Sequence, residues 1–324
     1  MKKGIHSVSS IDRTSEWGRH QIWIWRGFKI HWRVLGENNK RPVLFIHGFG
    51  ASSSHWRFNA KDFSDYGFSV YAIDLIGFGQ SDQPIIGEIN SLDNKTWSDQ
   101  VAHFIEEIIN PNNNFKPYLI GNSLGGLVSL TTGYFNPNLI KGIIASPLPD
   151  PELINILPKK EIKLLILVKN FFIHIFFRIL PLEILLPLIS KSCIIKQALQ
   201  GAYRKDISSD IDLLKIVRRP AQRKRAAKCL RLMCISMSTR NQTITAPHIL
   251  STLEKKFNLL PFLLIWGKYD CFVPLSLGEK IIKIFKWIDL KIINDAGHCS
   301  HDESPDQFNQ TAIHWIEKIN NLKD

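Results

Sequence analysis

Ser123 lies in Gly121-Asn122-Ser123-Leu124-Gly125, directly after the apolar run Tyr118 to Ile120. A serine between glycines at the end of a strand has the setting of a nucleophile. The strand-to-helix turn excludes large neighbours and lifts the hydroxyl clear of the sheet. Read alone, G-x-S-x-G also fits a turn that simply needs small residues. A hydroxyl attacks a carbonyl only when a base takes its proton and an acid orients that base. The chain offers both further on: Asp270 in W-G-K-Y-D-C-F-V-P and His298 in N-D-A-G-H-C-S-H-D-E, each after a short apolar run. The chemistry these residues predict is acyl transfer. Ser123 attacks, His298 accepts its proton and Asp270 holds the imidazole.

Other residues compete for these roles. His301 is a second candidate base. His298 is preferred because Gly297 would let the loop turn the ring inward, whereas His301-Asp302-Glu303 is expected to open the last helix, whose N-terminus favours acids. Asp295 sits too near His298 in sequence to face it. Asp74 ends a strand before the serine and reads as a loop-structuring residue. Stabilising an oxyanion takes two N–H donors. Leu124 N–H, at the start of the helix, is one. Phe49 N–H, in His47-Gly48-Phe49-Gly50, is the other, and the Phe49 ring can line a pocket as well. No cofactor is needed. The stretch G-F-G-Q-S-D after Asp74 lacks the third glycine or alanine of a dinucleotide fingerprint. His298 and His301 come without an H-E-x-x-H pattern or paired carboxylates, so no metal is expected.

These residues need a frame that brings distant loops to one edge. Trp23 to Leu35 alternates around Arg26-Gly27 and reads as a hairpin. Strands are expected at Val43–His47, Ser69–Asp74, Pro117–Gly121, Leu139–Ser146, Pro261–Gly267 and Asp289–Asn294. Helical spacing covers residues 97–109, Leu124–Tyr134, Leu277–Phe285 and Ser304–Ile319, with Phe308, Ile313 and Ile316 inward. Strands that alternate with helices and are apolar on both faces imply an α/β fold, a mostly parallel sheet covered by helices on both sides. Ligands bind beyond the carboxyl ends of such strands. Residues 147–250 interrupt the rhythm, being helical in pattern with no convincing strand. The chain therefore divides into a core of residues 1–146 and 251–324 and an inserted helical cap of residues 147–250.

The 324 residues are 44% hydrophobic, enough for a large core. The basic start, MKKGIHSVSS, is not followed by an apolar segment, so no signal peptide is expected. Five cysteines without a C-x-x-C pair suggest free thiols in a reducing compartment. In that setting the N-x-T sequons at Asn94, Asn241 and Asn309 read as chance. The formal net charge is +12, and the cap alone holds 18 lysines and arginines against 7 acids. The rest of the chain is nearly neutral, so whatever the charge does belongs to the cap.

The motifs resemble those of the α/β-hydrolase superfamily from about residue 20 to the C-terminus. Within it, H-G-F-G-A-S-S-S-H-W-R, Y-A-I-D-L-I-G-F-G-Q-S-D-Q-P, G-N-S-L-G-G and A-G-H-C-S-H-D-E look like the pheophytinase-like and chlorophyll dephytylase-like branch of plastids and cyanobacteria. The resemblance implies hydrolysis of a long prenyl ester on a chlorin pigment by Ser123, Asp270 and His298, in a cytoplasmic or stroma-like compartment. Related dehalogenases and epoxide hydrolases carry Asp where this chain has Ser123, which argues against both chemistries. A C–C hydrolase or acyltransferase would use the same three residues. A hydrolase-fold binding protein with negligible turnover is the third alternative.

Within the cap, Ile162 to Ile189 is very apolar but broken by Lys163, Lys169, Arg178, Glu183 and two prolines, so a spanning helix is not expected. It can pack between cap and body, or roof a greasy pocket that dips into a membrane surface. Eight cations fall between Lys215 and Arg231. After Pro220, Lys224, Lys228 and Arg231 share one helical face and Ala226, Leu230 and Met233 another. The basic face can be merely solvated or can attract anionic lipid. Nucleic acid is not expected, since no recognised binding fold carries the cluster. The partners implied are an apolar ester substrate and, at the periphery, an anionic membrane.

Overall fold

Arg26 and Gly27 both take positive φ, 50° and 83°. A two-residue turn of that kind has the twist of the strands it joins. It pairs β1 (Arg19–Trp25) antiparallel with β2 (Phe28–Leu35), with Trp25 opposite Phe28. The computed structural model describes residues 14–37, 39–112, 114–155, 163–190, 192–255 and 260–321. The segment MKKGIHSVSS and Ile162 lie outside them.

β3 (Pro42–Ile46), β4 (Ser69–Ile73), β5 (Tyr118–Asn122), β6 (Gly142–Ser146) and β7 (Phe262–Gly267) are buried along their whole length; β8 (Asp289–Ile293) forms the exposed edge. The sheet order is β1-β2-β4-β3-β5-β6-β7-β8, parallel from β4 to β8. Alternate residues feed two cores. Leu44, Ile46 and Leu119 face one; Val43, Phe45 and Ile120 face the other. The mostly parallel sheet read from the sequence is therefore present, with the hairpin as its antiparallel margin.

Helices α1 (Ala60–Asp65), α2 (Asn94–Phe104) and α3 (Leu124–Phe135) connect the first strands. α2 begins three residues before the expected start, because the Asp93 carboxylate accepts from the N–H groups of Lys95 and Thr96. Between β6 and β7 stand α4 (Lys163–Ile179), α5 (Leu182–Ile189), α6 (Ser192–Gln200), α7 (Ile211–Ala221), α8 (Ala226–Thr239) and α9 (Ala246–Glu254). α9 runs across the boundary drawn at residue 250. Its Ile249, Leu250 and Leu253 join the core beside α3, so this last helix of the insertion packs as part of the body.

α10 (Leu275–Ile284) precedes β8, and two helices close the chain: α11 (Ser300–Glu303) and α12 (Pro305–Asn321). The expectation that His301-Asp302-Glu303 opens the last helix is corrected here. Pro305 starts α12 afresh, as proline suits a first helical position. The two acids are buried in α11 and not displayed at a helix end. Phe308, Ile313 and Ile316 do face inward.

Candidate active site

β5 delivers Ser123 at a turn so tight that its φ is 51°, a positive value rare outside glycine. The neighbouring glycines are obligatory for steric reasons. A Cβ on Gly121 would lie 2.2 Å from the carbonyl of Gly125, and one on Gly125 would lie 2.1 Å from the oxygen of Ile46. A Cβ on Gly126 would meet the Pro147 oxygen at 2.8 Å, so this glycine lets α3 approach the sheet. The turn is also pinned from β6. Ser123 N–H and the Asn122 side chain both donate to the Ser146 carbonyl, at 2.9 and 2.7 Å.

The loops after β7 and β8 bring the other two residues to the same edge. His298 Nε2 lies 2.9 Å from Ser123 Oγ, and His298 Nδ1 lies 2.9 Å from Asp270 Oδ2. Asp270 Oδ1 accepts the N–H groups of Phe272 and Val273 at 2.9 and 2.8 Å, which fixes the carboxylate. A carboxylate can only accept, so Nδ1 carries the proton and Nε2 is left to accept from the serine. The three residues singled out from the sequence are thus linked in one relay, with Asp270 and His298 buried and Ser123 half-buried.

Leu124 is the first residue of the 12-residue α3, so its N–H has no partner within the helix. Phe49 follows Gly48, where a Cβ would lie 3.4 Å from Ser123 Cβ. Among the described residues neither N–H has a protein acceptor. The Phe49 ring is exposed and meets Phe78 edge-on. With Phe272, which contacts the His298 ring edge-on at 5.3 Å, it walls a cavity of about 360 Å³. Ala226, Leu230 and Met233, the apolar face of α8, line the cavity too, as do Leu186 and Ile189 of α5.

The competing residues are elsewhere. Asp295 is exposed and paired with Arg204. Asp74 organises the loops around it, accepting from Ser53 N–H, Gln80 N–H and the His31 ring. Burial alone would raise its pKa, but the His31 hydrogen bond, the neighbouring His31 and His47 charges and the Gln80 N–H hold it well below the usual range. His301 is fully buried against Trp56 and His55, and neither ring nitrogen has a hydrogen-bond partner among the described residues. Burial keeps it neutral. Gly297, before the inward-facing His298 ring, acts through its size. Its φ is not positive; it is small because a Cβ would lie 2.7 Å from the Ala202 carbonyl.

That contact belongs to a buried network the sequence reading missed. Arg57 donates to Asp302 and, with both terminal nitrogens, to Asp210. Tyr203 OH donates to Asp302 at 2.9 Å and lies 2.8 Å from His55 Nε2. Glu303 accepts Gly297 N–H from one side and Lys205 N–H from the other. Burial disfavours the Arg57 cation, but hydrogen bonds and charge from Asp210 and Asp302 more than offset this and raise its pKa. Burial lowers His55 to about 4, so it is neutral at neutral pH. The segment between α6 and α7 is thereby fastened to the loop that carries His298. Arg57 closes the motif H-G-F-G-A-S-S-S-H-W-R, a charge among apolar neighbours that could have signalled a buried pair. Tyr203 and Asp210 carry no local signal.

The basic cluster is likewise resolved into two kinds of residue. Arg223 donates to the carbonyls of Gly79 and Ser81, Arg225 pairs with Glu88, and Arg231 binds Glu183 and the carbonyls of Phe177 and Leu180. Arg223 and Arg231 tie this segment to distant backbone carbonyls, whereas the Arg225 pair is exposed. Lys215, Arg218, Arg219, Lys224 and Lys228 are exposed.

An eight-stranded, mostly parallel sheet with a serine elbow after β5 and a helical insertion after β6 is the architecture of an α/β hydrolase. The family model for the alpha/beta hydrolase fold matches residues 41–305, and the chain belongs to that family. Chloroplastic pheophytinase of Arabidopsis thaliana is 27% identical over 336 aligned residues, which cover 90% of this chain and 64% of that relative. The chain thus spans less than two thirds of its length. The pheophytinase-like resemblance seen in the motifs holds at this level of identity. Epoxide hydrolase 4 of Homo sapiens is 23% identical over 314 residues, covering 92% of this chain and 78% of the relative. A crystal structure of a membrane phospholipase A, a bacterial virulence factor, matches with a TM-score of 0.67 at 21% identity, covering 96% and 90% of the two chains. At that identity the likeness is one of fold.

Proposed function

We propose that this protein is a serine hydrolase that cleaves a carboxylic ester of an apolar molecule through an acyl-enzyme. The observation that carries the reading is the relay of Ser123, His298 and Asp270, with both links at 2.9 Å. His298 takes the Ser123 proton as Oγ attacks the ester carbonyl. The N–H groups of Phe49 and Leu124 receive the oxyanion, and the nearby start of α3 adds the positive end of its dipole. The imidazolium, steadied by Asp270, then protonates the departing alcohol. Water, deprotonated by the same imidazole, releases the acid. Serine in place of an acidic nucleophile speaks against epoxide opening.

The cavity under α5 and α8 is lined almost wholly by apolar groups, which suits a long hydrocarbon limb. With the pheophytinase relative, this supports a prenyl or phytyl ester of a chlorin as the substrate class.

A fluorophosphonate probe should label the wild type and not Ser123→Ala. A hydrolysis screen over short acyl, long acyl and phytyl esters should then show turnover that rises with the apolar limb. A folded protein that neither reacts with the probe nor turns over any ester would overturn the proposal. Acid and alcohol as the only products separate ester cleavage from C–C cleavage or acyl transfer.

A further inference from the structure

From Phe171 onward, α4 and α5 carry many of their apolar residues on the outside. Ile173 and Phe177 of α4, and Leu180 just past its end, are partly buried, and the helix packs against α8. Phe171, Phe172, Phe176 and Ile179 face solvent, Ile179 with 75% of its surface exposed. α5 continues the patch with Ile184, 65% exposed, and Leu188. A folded chain rarely leaves so many large apolar groups together in water without a partner for them.

The shape of the patch narrows the choice of partner. Among the described residues no single helix is long and apolar enough to cross a membrane, and Lys169–Ile179 meets Leu182–Ile189 at a bend of 65°. Arg231 of α8 binds the carbonyls of Phe177 and Leu180 and the carboxylate of Glu183, tying the bend to the body. Such an elbow can lie in the plane of an interface, apolar side down. Its surroundings are cationic. Lys169 and Arg178 on α4, and Lys224 and Lys228 around the start of α8, are exposed, and none makes a direct ion pair with a carboxylate among the described residues. The Lys228 charge reaches Glu183 at the bend itself. Apolar groups with exposed cations beside them complement a bilayer with an anionic surface.

The inner side of the same element faces the site. Leu186 and Ile189 of α5 line the cavity that extends to Phe49 and Phe272. We infer that the α4–α5 elbow seats in the headgroup layer of an anionic lipid bilayer, and that an apolar ester passes along α5 from the lipid into the cavity. The route rests on the ester-hydrolase reading above; the docking does not.

The test is co-sedimentation of the full chain with vesicles of phosphatidylcholine, alone and mixed with phosphatidylglycerol. It compares wild type with two surface variants, Phe172→Ser/Phe176→Ser/Ile179→Ser and Lys224→Ser/Lys228→Ser. Wild type should bind the mixed vesicles best. The apolar variant should lose about tenfold or more in partitioning at every salt concentration. The charge variant should lose about tenfold on anionic vesicles at low salt and little on neutral ones. Hydrolysis of soluble p-nitrophenyl butyrate should be unchanged in both variants, while hydrolysis of a long-chain ester held in vesicles falls. Absence of wild-type binding to anionic vesicles would overturn the inference, and so would equal binding by the apolar variant. A wild-type dimer that becomes a monomer in the apolar variant, without vesicle binding, would assign the face to a second copy of the chain. Failure of ester hydrolysis with vesicle binding intact would overturn the function and leave the docking standing.

Discussion

The backbone N–H of His298 donates to the carbonyl of Ala202 across 2.8 Å. Ala202 lies between α6 and α7, so the inserted segment holds the His298 loop directly. Tyr203, Arg204, Lys205 and Asp210 add further ties to the body within a few residues. The imidazole in this protein is therefore positioned from two sides, by Asp270 below and by the insertion above.

Tyr203 is a positioning residue in this arrangement. Tyr203→Phe strips one partner from both His55 and Asp302, which are buried, and is expected to cost about 1–3 kcal/mol of stability in urea titrations. Because the network also fastens the His298 loop, kcat for a short ester should fall several-fold with KM little changed. A loss of stability with kcat untouched would confine Tyr203 to a structural role.

Asp270→Asn retains an oxygen that can accept from Phe272 and Val273, so the fold should persist. It removes the acceptor that holds the His298 proton on Nδ1. Turnover should drop by a factor on the order of 10⁴, and the loss should be in kcat. Circular dichroism and steady-state kinetics on the same preparation check both parts.

The elbow glycines leave no room for a methyl group. A Cβ at Gly125 would meet backbone at 2.1 Å, with no flexible side chain to yield. Gly125→Ala is expected to destabilise the chain by about 1–3 kcal/mol or more, seen as a lower denaturation midpoint. Gly50→Ala is the control, with nothing near its would-be Cβ but a positive φ of 73°; its cost should be smaller.

Acid should weaken the fold before carboxylates titrate. His55 is held neutral, its pKa lowered from 6.5 to about 4, first by burial and then by the Arg57 charge against the opposing pull of Asp302. Between those values the unfolded chain binds more protons, so this contribution is complete above the unfolded pKa and is lost as pH falls through the window. It amounts to about 3 kcal/mol. Urea midpoints measured from pH ~7 down to pH ~4 should decline, and His55→Gln should flatten the slope. His301, also kept neutral by burial, acts in the same direction.

Leu230 lines the cavity beneath α8. Leu230→Trp should narrow it and lower kcat/KM for long acyl or phytyl esters by about tenfold or more, while butyrate esters lose little. A uniform loss across chain lengths would mean that the long limb binds elsewhere.

Much of this protein is legible along the chain. The strands, the hairpin at Arg26-Gly27 and the elbow around Ser123 are local matters: side-chain period, β-propensity and the room a glycine leaves. The order Ser123, Asp270, His298 follows from where polar residues stand at strand ends, because parallel strands bring those ends to one edge. Other features are not local. Whether Arg223 and Arg231 are free cations or structural anchors depends on carbonyls far away in sequence. Gly297 looks like a turn residue until Ala202 is placed against it, and Asp302 looks like a helix-end acid until Arg57 reaches it. The sequence by itself determined which groups could react and on what kind of sheet. The tertiary structure alone decided which charges are buried and paired and which face water, because solvation and pairing depend on contacts between residues that lie far apart in the chain.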